Sequence, residues 1–234
     1  MSIKLIAVDI DGTLVNSQKE ITPEVFSAIQ DAKEAGVKVV IATGRPIAGV
    51  AKLLDDLQLR DQGDYVVTFN GALVQETATG HEIISESLTY EDYLDMEFLS
   101  RKLGVHMHAI TKDGIYTANR SIDEPEILDA AIEKIPAEFY EHYSINKSAP
   151  FYLELLKKNV DKGSAITHLA EKLGLTKDET MAIGDEENDR AMLEVVGNPV
   201  VMENGNPEIK KIAKYITKTN DESGVAHAIR TLVL

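Results

Sequence analysis

Ile3-Lys4-Leu5-Ile6-Ala7-Val8-Asp9-Ile10-Asp11-Gly12-Thr13-Leu14 is the stretch whose reading decides the fold. Residues Ile3–Ile10 form an apolar, β-branched run, the pattern of a strand buried on both faces. Two carboxylates at i and i+2, followed by glycine, end that run abruptly. A central strand does not spend two acids on packing, because buried unpaired carboxylates are costly. The plain alternative is a polar loop where the strand leaves the core. In open α/β sheets, however, ligands bind at the carboxyl ends of strands. Asp9 and Asp11 are therefore the first candidate site.

Working outward, strand and helix patterns alternate. Thr22 caps a helix with Pro23 at its first position, and Gly36 ends it. Val37–Ala42 reads as a second buried strand, Ile47–Leu57 as a helix and Tyr65–Phe69 as a third strand. Such alternation implies a doubly wound, Rossmann-like α/β core, a parallel sheet with helices on both faces. The pattern changes after Asn70-Gly71. Leu73–Gln75 and Glu82–Glu86 read as hairpin strands, Tyr90–Leu103 as a helix, and His106–Thr111 with Gly114–Asn119 as paired strands. Glu124–Ile135 reads as a helix, and Phe139–Ser144 and Phe151–Lys157 as strands. Helix-strand-strand thus occurs twice, an α+β unit inserted in an α/β chain. Alternation resumes at Lys162 and runs to the end. The expected core is residues 1–82 and 159–234, and the inserted α+β cap is 83–158.

Composition narrows the partners. The chain of 234 residues is 44% hydrophobic, enough for a sizeable core, and carries a formal net charge of −15. That charge repels nucleic acid and anionic lipid, so neither is an expected partner. It also repels phosphate, so a phosphate site needs a local positive centre. There are no cysteines, which excludes disulfides, thiolate chemistry and Cys-ligated metals. No apolar run approaches the ~20 residues that span a bilayer, and a cytoplasmic location is expected.

Three further motifs follow strands or open helices. Gly184-Asp185-Glu186-Glu187-Asn188-Asp189 follows the strand Thr180–Ile183 and places Asp185 to ligate a metal. Its plain reading is an acidic helix N-terminus favoured by the dipole. Thr43-Gly44-Arg45 follows the second strand, where a hydroxyl and backbone N–H groups can hold a phosphate. It is equally a simple turn. Lys162 opens the returning helix and is the available positive centre, although a lone lysine is usually just solvated. Carboxylates can form acyl-phosphates, and magnesium suits all-oxygen ligands and phosphate oxygens.

The four motifs in the order Asp-x-Asp, Thr, Lys, Gly-Asp-x-x-Asn-Asp resemble the haloacid dehalogenase superfamily of phosphohydrolases. The resemblance is to its Cof-type sugar phosphatases, whose cap lies between the second and third motifs, and it covers nearly the whole chain. It implies that Asp9 is the nucleophile and Asp11 the general acid and base. Asp9, Asp11 (by carbonyl or carboxylate) and Asp185 would bind Mg2+. Ile10 (by its N–H), Thr43, Gly44, Lys162 and Asn188 would bind the transferring phosphoryl group, and Asp189 would orient Lys162 or the metal shell. The implied reaction is hydrolysis of small phosphate monoesters, sugar phosphates among them, through an aspartyl-phosphate. A phosphotransferase or mutase would share that intermediate. A receiver-like signalling module would share the phosphorylated aspartate but has no use for Asp11. The expected partner is a small phosphorylated metabolite, bound by a monomer or homodimer.

Other features carry less. His106 and His108 alternate on one strand face but lack a third metal ligand. Phe139, Tyr140, Tyr143, Phe151 and Tyr152 read as insert core. Asn70-Gly71 reads as a hairpin turn, with a second reading as a substrate contact at the mouth of the site. Caps of similar phosphatases carry further elements between the two helix-strand-strand halves. Here that middle is absent near Arg120–Ser121, so the cap is either naturally reduced or missing a segment.

Overall fold

The computed structural model describes residues 2–117, 127–149 and 152–234. The first half of the core contains β1 (Leu5–Val8), α1 (Pro23–Glu34), β2 (Lys38–Ala42), α2 (Ala51–Asp56), β3 (Tyr65–Thr68), β4 (Leu73–Glu76) and β5 (Glu82–Ser85). The insert follows with α3 (Tyr90–Leu103), β6 (Ala109–Ile110), β7 (Ile115–Tyr116), α4 (Ile127–Ile132), α5 (Ala137–His142), β8 (Tyr143–Ala149) and β9 (Tyr152–Lys157). The chain returns through α6 (Lys162–Lys172), β10 (Thr180–Gly184), α7 (Arg190–Val195), β11 (Asn198–Val201), α8 (Pro207–Lys210), β12 (Tyr215–Ile216) and α9 (Gly224–Leu232).

The main sheet has the order β12-β11-β10-β1-β2-β3-β4-β5. Pairing is parallel from β12 to β3 and antiparallel across β3-β4-β5. The hairpin that the sequence places at the change of pattern is therefore the edge of the core sheet. β1 lies at the centre, between β10 and β2. Its side chains alternate between two cores. Ile6 and Val8 pack on one face with Ile29 and Ile229 from α1 and α9. Leu5 and Ala7 pack on the other with Ile166 and Leu193 from α6 and α7. The period of two carries one step further. Ile10 joins the first core, while Asp9 turns to the α6 side, where that helix begins.

The capping logic holds at several helix starts. The Thr22 hydroxyl accepts from Val25 N–H at 3.3 Å, and Thr89 and Asp161 begin α3 and α6 with reciprocal caps. One reading fails. Residues 139–142 form a helix rather than a strand, because Pro136 begins a turn in which Phe139 and Tyr143 fall four apart. Their rings meet at 5.6 Å between centroids, a helical i, i+4 pair. Of the aromatics read as insert core, Tyr143 is buried, while Tyr140 and Tyr152 are exposed. Phe151 and the Arg120–Ser121 junction lie outside the described residues.

Candidate active site

The site forms where β1, β2 and β10 end and α6 begins. Beyond Val8 the chain makes a tight turn over Ile10–Leu14, held by Leu14 N–H donating to Asp9 C=O at 3.2 Å and Val15 N–H to Ile10 C=O at 3.1 Å. Gly12 makes this turn possible, with φ at +78°, and a Cβ there would sit 2.3 Å from Asp185 Oδ2. Only glycine lets the two acidic loops come this close. Thr13 then donates to Asp185 Oδ1 at 2.7 Å, tying the first motif to the last.

Lys162 is the centre of charge. It is 1% exposed, and its Nζ donates to Asp9 Oδ1 at 2.6 Å and to Asp189 Oδ1 at 2.7 Å. Burial opposes its charge, but Asp9 and Asp189 outweigh that and raise its pKa. Asp189 is fully buried, and its Oδ2 accepts from Asp185 N–H at 2.9 Å. It thus orients Lys162 with one oxygen and the Asp185 backbone with the other. Three carboxylates still face one cation. Burial, then the charge of Asp189, push Asp9 up to about 7 against the pull of Lys162. Burial likewise pushes Asp185 up to about 6. Asp9, Asp185 and Asp189 each offer an oxygen within 4.8 Å of the others. The acids are strained by their mutual charge, and all the donors are hard oxygens, which is the chemistry that suits magnesium.

Asp11 stands apart from this cluster. Its carboxylate does not join Asp9 and Asp185 but accepts from Arg45 Nη2 at 2.8 and 2.7 Å and from Lys19 Nζ at 2.8 Å. Partial burial opposes its ionisation, yet Lys19 and Arg45 hold it below the ordinary aspartate range. Lys19 and Arg45 claim both of its carboxylate oxygens in this arrangement, so of the two ways in which Asp11 is expected to reach a metal, carbonyl or carboxylate, the backbone carbonyl is the one these cations leave open. Thr43 is buried at the end of β2, and its hydroxyl accepts from Arg45 N–H at 3.2 Å, so that turn is formed. Gly44 is the next residue. Asn188 lies half-buried in the turn Glu187–Asp189, beside Lys162's partner.

Sequence reasoning passed over Thr13, Lys19 and the Arg45 side chain. Thr13 comes two residues after Asp11, beyond Gly12, and was legible as part of that turn; the Lys19 contact depends on tertiary placement. His106 and His108 are exposed in the insert, and His108 packs edge-on against Tyr152.

The cap closes over this site through its β8–β9 hairpin. β8 runs against the Glu187–Asp189 turn, and Asn70 Nδ2 donates to Glu154 Oε2 on β9.

The chain is similar to proteins already known. A family model described as haloacid dehalogenase-like hydrolase matches residues 6–126 and 118–229. A Streptococcus pyogenes serotype M6 protein named "Putative phosphatase M6_Spy0533" is 60% identical over 268 positions, covering 100% of both chains. The 5-amino-6-(5-phospho-D-ribitylamino)uracil phosphatase YcsE of Bacillus subtilis is 34% identical over 247 positions, covering 100% of this chain and 97% of its own. The crystal structure of a haloacid dehalogenase-like hydrolase from Bacteroides thetaiotaomicron superposes with a TM-score of 0.87 at 27% identity, covering 97% of this chain and 98% of that one.

Proposed function

Because the chain belongs to the haloacid dehalogenase-like hydrolases and is a phosphatase, we propose that Asp9 is the nucleophile in the hydrolysis of small, hydroxylated phosphate monoesters. The observation that supports this most directly is the buried Lys162 bridging Asp9 and Asp189. Lys162 fixes the Asp9 rotamer and offers positive charge to an arriving phosphoryl group despite the acidic surface. The Ile10 N–H, Thr43, Gly44 and Asn188 line the same end of the sheet and bind the phosphoryl oxygens. Asp9 attacks phosphorus as the P–O bond to the leaving alcohol breaks, giving an aspartyl-phosphate. Asp11 protonates that alcohol and later takes a proton from the hydrolytic water. Arg45 and Lys19 hold Asp11 ionised and away from the cluster, so they must release it, and it must take up a proton from solvent, before it serves as the acid; a phosphate dianion competes for the same cations.

Asp9, Asp185 and the Asp11 segment are the residues that would hold Mg2+. Asp189 is already engaged by Lys162 and the Asp185 backbone, and serves behind them. The ion, when bound, supplies neutralising charge between the carboxylates and the phosphate. The name of the Bacillus subtilis relative specifies a ribityl phosphate, and a leaving group of that hydroxylated kind is the class proposed here. Hydrolysis of sugar phosphates with magnesium, stopped by EDTA and restored by magnesium, is the expected result. Full rate in chelated enzyme would refute the metal assignment.

In this reading the core spans 1–85 and 159–234, because β5 pairs with β4 in the core sheet and moves the boundary expected at 82, and the cap that follows it to 158 is abbreviated. An alignment of 268 positions against a chain of 234 residues leaves at least 34 positions of the streptococcal relative without a counterpart. The family model, moreover, matches in two pieces that meet at 118–126. Intact mass of the protein from its natural source separates the two origins of this gap. A mass of 25.7 kDa means a naturally reduced cap, and a heavier protein means an omitted segment.

A further inference from the structure

Asn70 is an anomaly that the phosphoryl chemistry does not use. Phe69 and Asn70 both adopt left-handed backbone conformations, with φ of 52° and 50°. For a bulky residue such as phenylalanine this is strained backbone, and such strain collects at functional positions. Two backbone bonds impose it. Phe69 N–H donates to Arg45 C=O at 3.2 Å, and Asn70 N–H to Thr43 C=O at 3.0 Å. The Asn70 amide consequently lies over Gly44, where a Cβ would come within 2.8 Å of Nδ2 and 3.1 Å of Oδ1. On the other side Gly71, with φ of +99°, leaves space for Asp161 C=O, which a Cβ would meet at 2.0 Å. Asn70 is thus wedged between the Thr43-Gly44-Arg45 turn and the start of α6 with Lys162.

Its amide has a fixed sense. Nδ2 donates to the Glu154 carboxylate, which only accepts, so Oδ1 faces the other way. Asn70 is 4% exposed, and among the described residues its Oδ1 has no hydrogen-bond partner. A buried carbonyl left without a donor is costly, so its position calls for a partner. Glu154 pairs with Asn146 across β8 and β9, so these two polar side chains share the face of the hairpin that meets the core.

We propose that Asn70 Oδ1 and the Glu154 carboxylate form an acceptor subsite for the leaving group, hydrogen-bonding its hydroxyls and excluding leaving groups that carry a negative charge. This rests on the phosphatase reading above and adds the residues that choose the ester. The two acceptors reward a group with O–H donors. The Glu154 charge, in a chain of net charge −15, penalises a carboxylate in the same place.

The test compares kcat/KM for sorbitol 6-phosphate with that for hexyl phosphate, which has the same carbon chain without the free hydroxyls, and for phosphoglycolate. Wild type should favour sorbitol 6-phosphate over both. Glu154→Ala should reduce the sorbitol-to-hexyl ratio about tenfold, the worth of a hydrogen bond to a charged group. Asn70→Ala should do the same. Should that variant fail to fold in the left-handed turn, Glu154→Ala on the cap hairpin still decides the question. Glu154→Gln keeps an acceptor but loses the charge, so the phosphoglycolate-to-sorbitol ratio should rise. A wild-type enzyme indifferent to the hydroxyls, or variants that slow sorbitol and hexyl esters in parallel, would overturn the subsite while leaving the phosphatase reading intact. Failure of wild type to cleave any of the three esters, or an aryl phosphate, would instead bring down the phosphatase reading and this subsite with it.

Discussion

The core and the cap of this molecule are built to different standards. The core encloses its sheet between two continuous apolar layers and then places a lysine and two aspartates, each almost wholly buried, at the end of the central strand. The cap buries few apolar side chains among its described residues: Met96, Leu99, Ala131 and Tyr143. Its helix α3 turns Tyr90, Leu94 and Phe98 outward. A charged cluster such as Lys162 with Asp9 and Asp189 needs a rigid, low-dielectric frame, because buried ions are stable only when their geometry is fixed. Selecting an ester needs no such frame. It needs a few polar atoms on an element that can close and open. The difference fits the proposal that the core carries the chemistry and the cap the choice of substrate.

The sharpest way to break that assignment is to remove the proposed nucleophile from the rigid part. Asp9→Asn should lower hydrolysis of para-nitrophenyl phosphate by several orders of magnitude, since asparagine cannot form the acyl-phosphate. The protein should stay folded, because the amide fills the same space and relieves the repulsion among Asp9, Asp185 and Asp189. Turnover above about a tenth of wild type would mean that the covalent step lies elsewhere.

How much of this was legible in the sequence follows the same division. The core announced itself because its strands are uninterrupted apolar runs and its helices carry local caps such as Thr22-Pro23. Asp9, Lys162 and Asp185 could be singled out because they sit at fixed places on that alternation, and the structure brings them together. The cap was read less well. Phe139–Ser144 has the aromatic content of a strand, but short elements are decided by tertiary partners. Tyr143 donates to Asp92 on α3 at 2.8 Å, a contact 51 residues away that no local pattern announces. Asp11 shows the same limit inside the core. Its place on the chain was clear, but the direction of its carboxylate depends on Arg45, 34 positions on. The latch from Asn70 to Glu154 spans 84 positions and joins the two regions.

A smaller effect tests the electrostatics of the rigid part. Asp9 and Asp185 both titrate above the ordinary aspartate value of 3.8, at about 7 and about 6. The folded, metal-free protein therefore holds protons that the unfolded chain has already released between about pH 4 and pH 7. The stability these groups provide is complete below the unfolded value and is lost as pH rises through the folded ones. Lys162, also raised, stays charged in both states across this window and adds no slope. Metal requires the deprotonated acids, so its stabilisation must grow over the same range. The melting temperature of EDTA-treated protein should fall between about pH 5.5 and pH 8, and saturating magnesium should raise it more at the higher pH. An equal magnesium shift at both values would show that Asp9 and Asp185 are not its ligands.

The smallest effect belongs to the cap. Phe98 is 70% exposed on α3, one helical face with Tyr90 and Leu94. A side chain that keeps most of its surface in water has little burial to lose. Phe98→Ser also changes helix propensity only slightly. The substitution should therefore shift stability by no more than about 0.5 kcal/mol, the usual limit for surface changes, where truncating a buried core side chain costs about 2–5 kcal/mol. Phosphatase rate on the aryl ester should not change, because a side chain this exposed makes no contact with Asp9 or Lys162. Thermal melts at several protein concentrations check both halves of the statement. A loss of well over 1 kcal/mol that shrinks on dilution would mean that Phe98 is covered by a second copy of the chain, and the cap would then owe its order to assembly rather than to its own thin core.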